Sequence, residues 1–281
     1  MKLIADSGST KTDWVLISPT NQVISSFSTL GLNPVYYKEE FILDQLKFTP
    51  IKSYLSDIGE VVFFGAGCSD DEGAGVIKNI LSNCFISANI NVHSDIKAAA
   101  ISSLRNKSGI SIILGTGSNI AICHNNGEIS ETRSGNGFIL GDEGSGSHIG
   151  RLLITDYMNN KLPPELKYKL EKDGLTRSKI ILEVYRGIKP NLFLASFSKF
   201  IHDNFENEYC KELVRSSITS LIKIHLSEYV NSYKGRIGIV GSVGYYFKEI
   251  VEQVFLDFGF NKPKILQKPI DGLVSYYLSN N

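Results

Sequence analysis

Short apolar runs separated by small polar loops organise this chain, and the same order of runs and loops occurs in it twice. Lys2–Asp6 reads as a short strand, followed by Ser7-Gly8-Ser9-Thr10-Lys11-Thr12 and a second apolar run, Trp14–Ile17. A turn at Pro19–Asn21 leads to a third strand, Gln22–Phe27. Farther along, Gly109–Leu114 is a β-branched strand, Gly115-Thr116-Gly117-Ser118 a small-residue loop and Asn119–Cys123 another strand. An Asn125-Asn126-Gly127 turn then precedes a strand near Glu128–Thr132. The two copies share little identity when Asp6-Ser7-Gly8-Ser9 is set against Gly115-Thr116-Gly117-Ser118, so the repeat rests on order: strand, polar loop, strand, tight turn, strand.

After each meander the pattern turns to helices and further strands. The first half predicts a helix around Lys38–Lys47, a strand Val61–Phe64, a helix near Gly73–Leu81, a strand Asn89–His93 and a helix Ser94–Leu104. The second predicts a helix from near Glu143, helical material over much of 150–232 including Glu206–Tyr229, and a strand Arg236–Val240. A helix Gly244–Phe255, a strand Pro263–Leu266 and a last helix Pro269–Leu278 complete it. The sum is a duplicated βββαβαβα unit: two α/β domains with mixed sheets and a ligand cleft expected between them. The polar, turn-rich Arg105–Ser108 sets the expected domains at 1–105 and 106–281, with the last helix free to pack back on the first.

Composition narrows the functions. The 281 residues carry 29 basic and 29 acidic side chains, so no net field draws in a nucleic-acid backbone or an anionic membrane. No apolar run approaches the ~20 residues of a membrane span, and the opening residues are too short an apolar stretch for a signal peptide, so a soluble, cytoplasmic protein is expected. The cysteines, Cys68, Cys84, Cys123 and Cys210, form no C-x-x-C pair, and the histidines no H-x-x-x-H pair; a protein-only transition-metal centre is not expected.

The two loops carry the candidate chemistry. Ser9-Thr10-Lys11-Thr12 resembles the end of a P-loop, yet the glycine spacing is wrong and Asp13–Ile17 suits a strand, so this loop is a hairpin tip. Gly8 still lets backbone N–H groups turn towards an oxyanion, Thr10 and Thr12 add hydroxyl donors, and Lys11 adds charge. Asp6 would repel a bare phosphate and makes sense beside a hydrated Mg²⁺. The plainer alternative is a turn whose polar residues satisfy their own backbone.

Asp6-Ser7-Gly8-Ser9-Thr10-Lys11-Thr12, Leu114-Gly115-Thr116-Gly117-Ser118 and Gly141-Asp142-Glu143-Gly144-Ser145-Gly146 stand in the order seen in N-acetylglucosamine kinases. These belong to the BadF/BadG/BcrA/BcrD ATPase family of the actin/hexokinase/Hsp70-like superfamily. The resemblance implies two duplicated actin-like (ribonuclease H-like) domains with mixed sheets and a central nucleotide cleft. It implies ATP and Mg²⁺, with an amino sugar beside the γ-phosphate. It makes Ser7, Gly8, Ser9, Thr10, Lys11 and Thr12 the first phosphate loop, Gly115, Thr116, Gly117 and Ser118 the second, and Asp6 the magnesium residue. The family commonly has D-G-G-x-T-K-T, and Ser7 replaces the first of those glycines.

The resemblance also gives Asp95 the catalytic role. The other reading of Ser94-Asp95 is the cap of an Ala-rich helix, whose N-terminus would keep the carboxylate ionised near neutrality and suited to orienting an acceptor. Asn33 corresponds to a sugar-contacting asparagine, or is a turn before Pro34. Asp142 corresponds to a sugar-binding acid, or caps the following helix, with Asn136 and Gly137 lining the same pocket. Gly241 and Ser242 match an adenosine motif in which Val240 replaces the first glycine; Ser242 also reads as a plain helix cap. The implied activity is phosphorylation of an amino sugar, N-acetylglucosamine at O6. The alternatives are an ATPase activating a partner enzyme, as in 2-hydroxyacyl-CoA dehydratase activators, and a non-catalytic sugar sensor. A homodimer is compatible with the sequence, which does not fix the oligomeric state.

Overall fold

The structure is a computed structural model that describes residues 1–8, 10–33, 40–41, 44–45, 50–125 and 127–279. Ser9 and most of the helix expected over Lys38–Lys47 lie outside the described residues, as does Asn126 of the expected second turn. The chain forms two compact units, residues 1–107 with 125–129 and 268–281, and residues 108–124 with 130–267.

In the first unit β1 (Lys2–Ser7), β2 (Lys11–Ile17), β3 (Val23–Leu30), β4 (Glu60–Gly65) and β5 (Asn89–Ser94) make a sheet of order β3-β2-β1-β4-β5. β1 and β2 are antiparallel; β1, β4 and β5 are parallel. The central strands bury both faces, which is why they read as continuous apolar runs. Leu3, Ala5, Trp14, Leu16, Val61 and Phe63 enter the core beneath α1 (Asp71–Cys84). Ile4, Val15, Ile17, Val62 and Phe64 enter the opposite core with Ala98 and Ile101 of α2 (Asp95–Leu104). β3 is the edge, and Phe27 stacks there on Trp14 with centroids 5.9 Å apart.

In the second unit β6 (Gly109–Leu114), β7 (Ser118–Cys123), β8 (Ile129–Ser134), β9 (Arg236–Val240) and β10 (Lys264–Leu266) form a sheet of order β10-β9-β6-β7-β8. Read from the other edge, this is the order of the first sheet, so the repeat in the sequence is a repeat of topology. Between β8 and β9 run α3 (Gly137–Leu140), α4 (Gly146–Met158), α5 (Pro164–Lys172), α6 (Arg177–Tyr185), α7 (Pro190–Asp203) and α8 (Glu208–His225). The helix expected from Glu143 therefore starts at Gly146, with Ser145 Oγ capping the His148 amide. The helix expected over Gly244–Phe255 is two, α9 (Ser242–Tyr246) and α10 (Lys248–Asp257), broken at Phe247. The last helix, α11 (Pro269–Ser279), packs on α2, where Gly272 leaves room for Ser102.

Candidate active site

In the first unit the parallel register fixes what meets at the strand ends. Ser7 pairs with Gly65 and Gly65 with Ser94, so the loops after β1, β4 and β5 start from one line across the sheet. Asp6 lies one position before that line on the face covered by α2, and Asp95 is the first residue of α2. C-terminal edges of parallel strands are where α/β folds place ligands.

Asp6 and Asp95 are partly exposed carboxylates in dense surroundings. Burial, the charge of Asp95 and the charge of Asp13, in that order, lift Asp6 to about 8. Burial lifts Asp95 to about 6 against the N–H groups of Ile96 and of Asp95 itself. Asp95 Oδ1 accepts the Ile96 amide at 2.8 Å. Desolvation outweighs the amides, yet a carboxyl near 6 stays mostly ionised at neutral pH.

The hairpin tip closes with Gly8 N–H donating to Lys11 O at 2.9 Å, and Gly8 and Thr10 stand exposed. Thr12, expected to offer a donor to phosphate, instead donates to Leu30 O at 3.1 Å and is buried beside Ser7, whose hydroxyl lies 2.8 Å away. Lys11 is half exposed and ion-paired with Asp13 at 2.6 Å. Asp13 also takes the Ser28 hydroxyl at 2.7 Å and Lys268 at 3.7 Å. The Lys11 and Ser28 contacts overcome the burial that would raise Asp13, and hold its carboxyl low. Asn33 is buried at the end of the segment that follows β3.

In the second unit the Gly115–Gly117 turn closes with Gly115 N–H on Gly117 O at 3.0 Å. The segment that leads into α4 folds directly onto it: Gly146 N–H donates to Gly115 O at 2.8 Å and Ser147 N–H to Thr116 O at 3.0 Å. Asp142, in the left-handed region at φ 59°, turns its carboxylate to the same loop and accepts the Ser118 amide at 3.1 Å. Burial raises its pKa, with the Ser118 amide opposing and Glu143 adding. Glu143 pairs with His225, the last residue of α8, at 2.8 Å. Asn136 and Gly137, by contrast, are exposed at the start of α3, so the structure brings Asp142 to the glycine loop and leaves them on the surface.

Gly241, at φ 124°, lies so close to the end of β6 that a Cβ would collide with the Leu114 carbonyl; only glycine fits. Ser242 starts α9 and lines a cavity of ≈ 450 Å³ with Ala195, Ser198, Lys199, His202 and Tyr246. The Ser198 hydroxyl is buried without a hydrogen-bond partner among the described residues. The His202 and Tyr246 rings meet edge to face at 5.4 Å. No local sequence pattern marks Ser198, Lys199, His202 or Tyr246; helix packing alone brings α7 to α9.

A strand–glycine loop–strand repeated on sheets of one topology defines a duplicated α/β fold. The family model of the BadF/BadG/BcrA/BcrD ATPase family matches residues 5–267, and the chain belongs to that family. A crystal structure from Porphyromonas gingivalis, provisionally described as an N-acetylglucosamine kinase, superposes with a TM-score of 0.91 at 34% identity, covering 100% of this chain and 99% of that one. The curated N-acetylmuramic acid/N-acetylglucosamine kinase of Clostridium acetobutylicum is 25% identical over 237 residues, 77% of this chain and 75% of its own length. A crystal structure from Chromobacterium violaceum, described in the same provisional way, shares the fold at a TM-score of 0.72 and 14% identity, covering 98% of each chain.

Proposed function

We propose that this chain is a sugar kinase that transfers the γ-phosphoryl group of ATP to an amino sugar, N-acetylglucosamine at O6. The observation that carries the reading is the pair of carboxylates at one sheet edge, Asp6 and Asp95, both lifted well above the ordinary aspartate range. Family membership and the kinase relatives support it.

Asp95 is the residue at the acceptor. With a pKa near 6 it is mostly ionised at pH 7 and close enough to neutrality to take a proton well. It accepts a hydrogen bond from the sugar hydroxyl, and takes that proton as the oxygen–phosphorus bond forms and the bond to the β-phosphate oxygen breaks, leaving ADP. Asn33 and Asp142 serve the sugar's other hydroxyls, a carboxylate accepting from them.

The Gly8–Thr10 tip, Lys11 and the Gly115–Ser118 loop serve the polyphosphate through backbone N–H groups and charge. Lys11 exchanges Asp13 for phosphate, and Lys268 remains to neutralise Asp13. The α7–α9 cavity suits a nucleoside: the His202 and Tyr246 rings line it beside Ser198, whose hydroxyl has no hydrogen-bond partner among the described residues.

The donor set fits magnesium, which takes one or two carboxylates and keeps its waters. Asp6 would hold it, with Asp95 alongside. Bound with the nucleotide, the ion supplies neutralisation of the phosphate charge.

A coupled assay of ADP release over N-acetylglucosamine, glucosamine, N-acetylmannosamine, N-acetylmuramic acid and glucose, with and without Mg²⁺, tests the reading. Sugar-dependent release fastest with N-acetylglucosamine and absent without Mg²⁺ is expected. ATP consumption indifferent to sugar overturns it.

A further inference from the structure

Backbone and side-chain groups of the hairpin together hold the turn that follows β3. Gly31 N–H donates to Thr10 O at 3.0 Å, Leu32 N–H to Ser7 Oγ at 2.9 Å, and Thr12 Oγ1 to Leu30 O at 3.1 Å. The Ser7 and Thr12 hydroxyls are 2.8 Å apart. The proton order between them is forced, since each hydroxyl has one proton and that of Thr12 goes to Leu30 O. Ser7 therefore donates to Thr12 while accepting from Leu32. The relay is dry: Ser7 is 1% exposed, Thr12 0% and Leu32 0%.

Each member of this relay adjoins a residue of the candidate site. Ser7 follows Asp6, Thr12 follows Lys11, and Leu32 precedes Asn33. Ser7 also anchors the loop after β4, its carbonyl accepting the Ala66 amide at 2.9 Å.

We propose that Ser7 is a positioning residue whose hydroxyl locks the Asn33 segment to the phosphate hairpin, so that loading the hairpin with nucleotide prepares the acceptor side. The inference rests on the kinase reading above. Alanine or glycine at position 7 would leave the buried Leu32 N–H without an acceptor and Thr12 without its incoming donor, and the Leu30–Asn33 turn would come loose. The loss falls on sugar binding, because the polyphosphate contacts of the hairpin are backbone N–H groups and the Lys11 ammonium, which the hydroxyls of the relay do not supply.

The test uses the full chain as wild type, Ser7→Ala, Ser7→Gly and Thr12→Val, with KM measured separately for N-acetylglucosamine and for ATP. Ser7→Gly installs the residue the family resemblance places there and guards against a misfolded alanine variant. A rise in sugar KM of about tenfold or more, with ATP KM moving less than about threefold, is expected. The double variant Ser7→Ala/Thr12→Val should be no worse than either single change, since both break one relay. Sugar and ATP KM rising together, or a lowered Tm with both KM values intact, overturns the proposal.

Hydrogen exchange at Leu32 and Asn33, with and without Mg·ADP and without sugar, reads the coupling without turnover. Slower exchange on adding nucleotide, in wild type and not in Ser7→Ala, supports the proposal; indifference of the wild type overturns it. Absence of any sugar-dependent ADP release in the wild type would instead sink the kinase reading, and the exchange result would still decide the coupling.

Discussion

A methyl group on Gly117 would stand 2.9 Å from Oδ2 of Asp142 and 3.1 Å from Oδ1, so the glycine loop and the acidic loop share one surface. The glycine is there for contact, since its φ lies outside the left-handed region. Gly117→Ala must move the carboxylate off the Ser118 amide. A displacement of about 1 Å at a substrate-positioning group costs on the order of 10²-fold in rate. Steady-state kinetics of Gly117→Ala should show kcat/KM for the sugar down by roughly 10- to 100-fold, with the circular dichroism of a folded protein. Wild-type kinetics in that variant would show that Asp142 does not need its present place.

Asp95→Asn keeps the size and the bond to the Ile96 amide while removing the proton acceptor. Turnover should fall by ~10²–10⁴ and Mg·nucleotide binding should survive. Asp6 should also titrate lower, because it loses the Asp95 charge that helps to raise it. Rapid-quench kinetics and nucleotide fluorescence titration on one preparation separate the two effects. Near-normal turnover would remove Asp95 from the chemistry.

The strands were legible because both faces of the central ones are apolar, and the shared sheet order followed from the repeated succession of strand and loop. What stayed hidden depended on distance along the chain. Asp142 meets Ser118 across 24 positions and Glu143 meets His225 across 82, and no local pattern encodes either meeting. Ser198 looks like any helical serine until α4 packs against α7 and sets Gly146 over its hydroxyl. Lys11 is different: it and Asp13 stand two apart on one strand and so share a face, which predicts their ion pair directly. Thr12 alternates to the other face, where it is buried.

His148 gives a pH signature to the second unit. It is buried, its Nδ1 lies 2.7 Å from Ser217 Oγ, and burial first, then Arg151, pushes its pKa down to about 4. The unfolded chain takes up a proton near 6.5, the folded chain only near 4, so stability is lost as pH falls through that window. Glu143 adds a loss at lower pH, because its depressed pKa stabilises the fold only above the ordinary glutamate range. The Tm advantage of wild type over His148→Gln should therefore shrink between pH 7 and pH 5, because only wild type carries this loss. Parallel curves for the two proteins would acquit His148.

Asp6 reverses that sign and ties stability to function. Its folded pKa of about 8 stands far above the unfolded 3.8, so without metal its contribution is fully present below about pH 4 and is lost as pH rises through 8. Asp6→Asn should raise the metal-free Tm at pH 8.5, by roughly 2 °C or more, and leave it nearly unchanged only below about pH 4, while abolishing activity. Bound Mg²⁺ requires the ionised carboxylate, so Mg·nucleotide binding at pH 7 should release close to one proton, and affinity should climb until about pH 8. Calorimetric titrations in two buffers of different ionisation enthalpy measure that proton directly. Equal heats in both buffers, or a proton still released by Asp6→Asn, would show that the metal does not draw on Asp6.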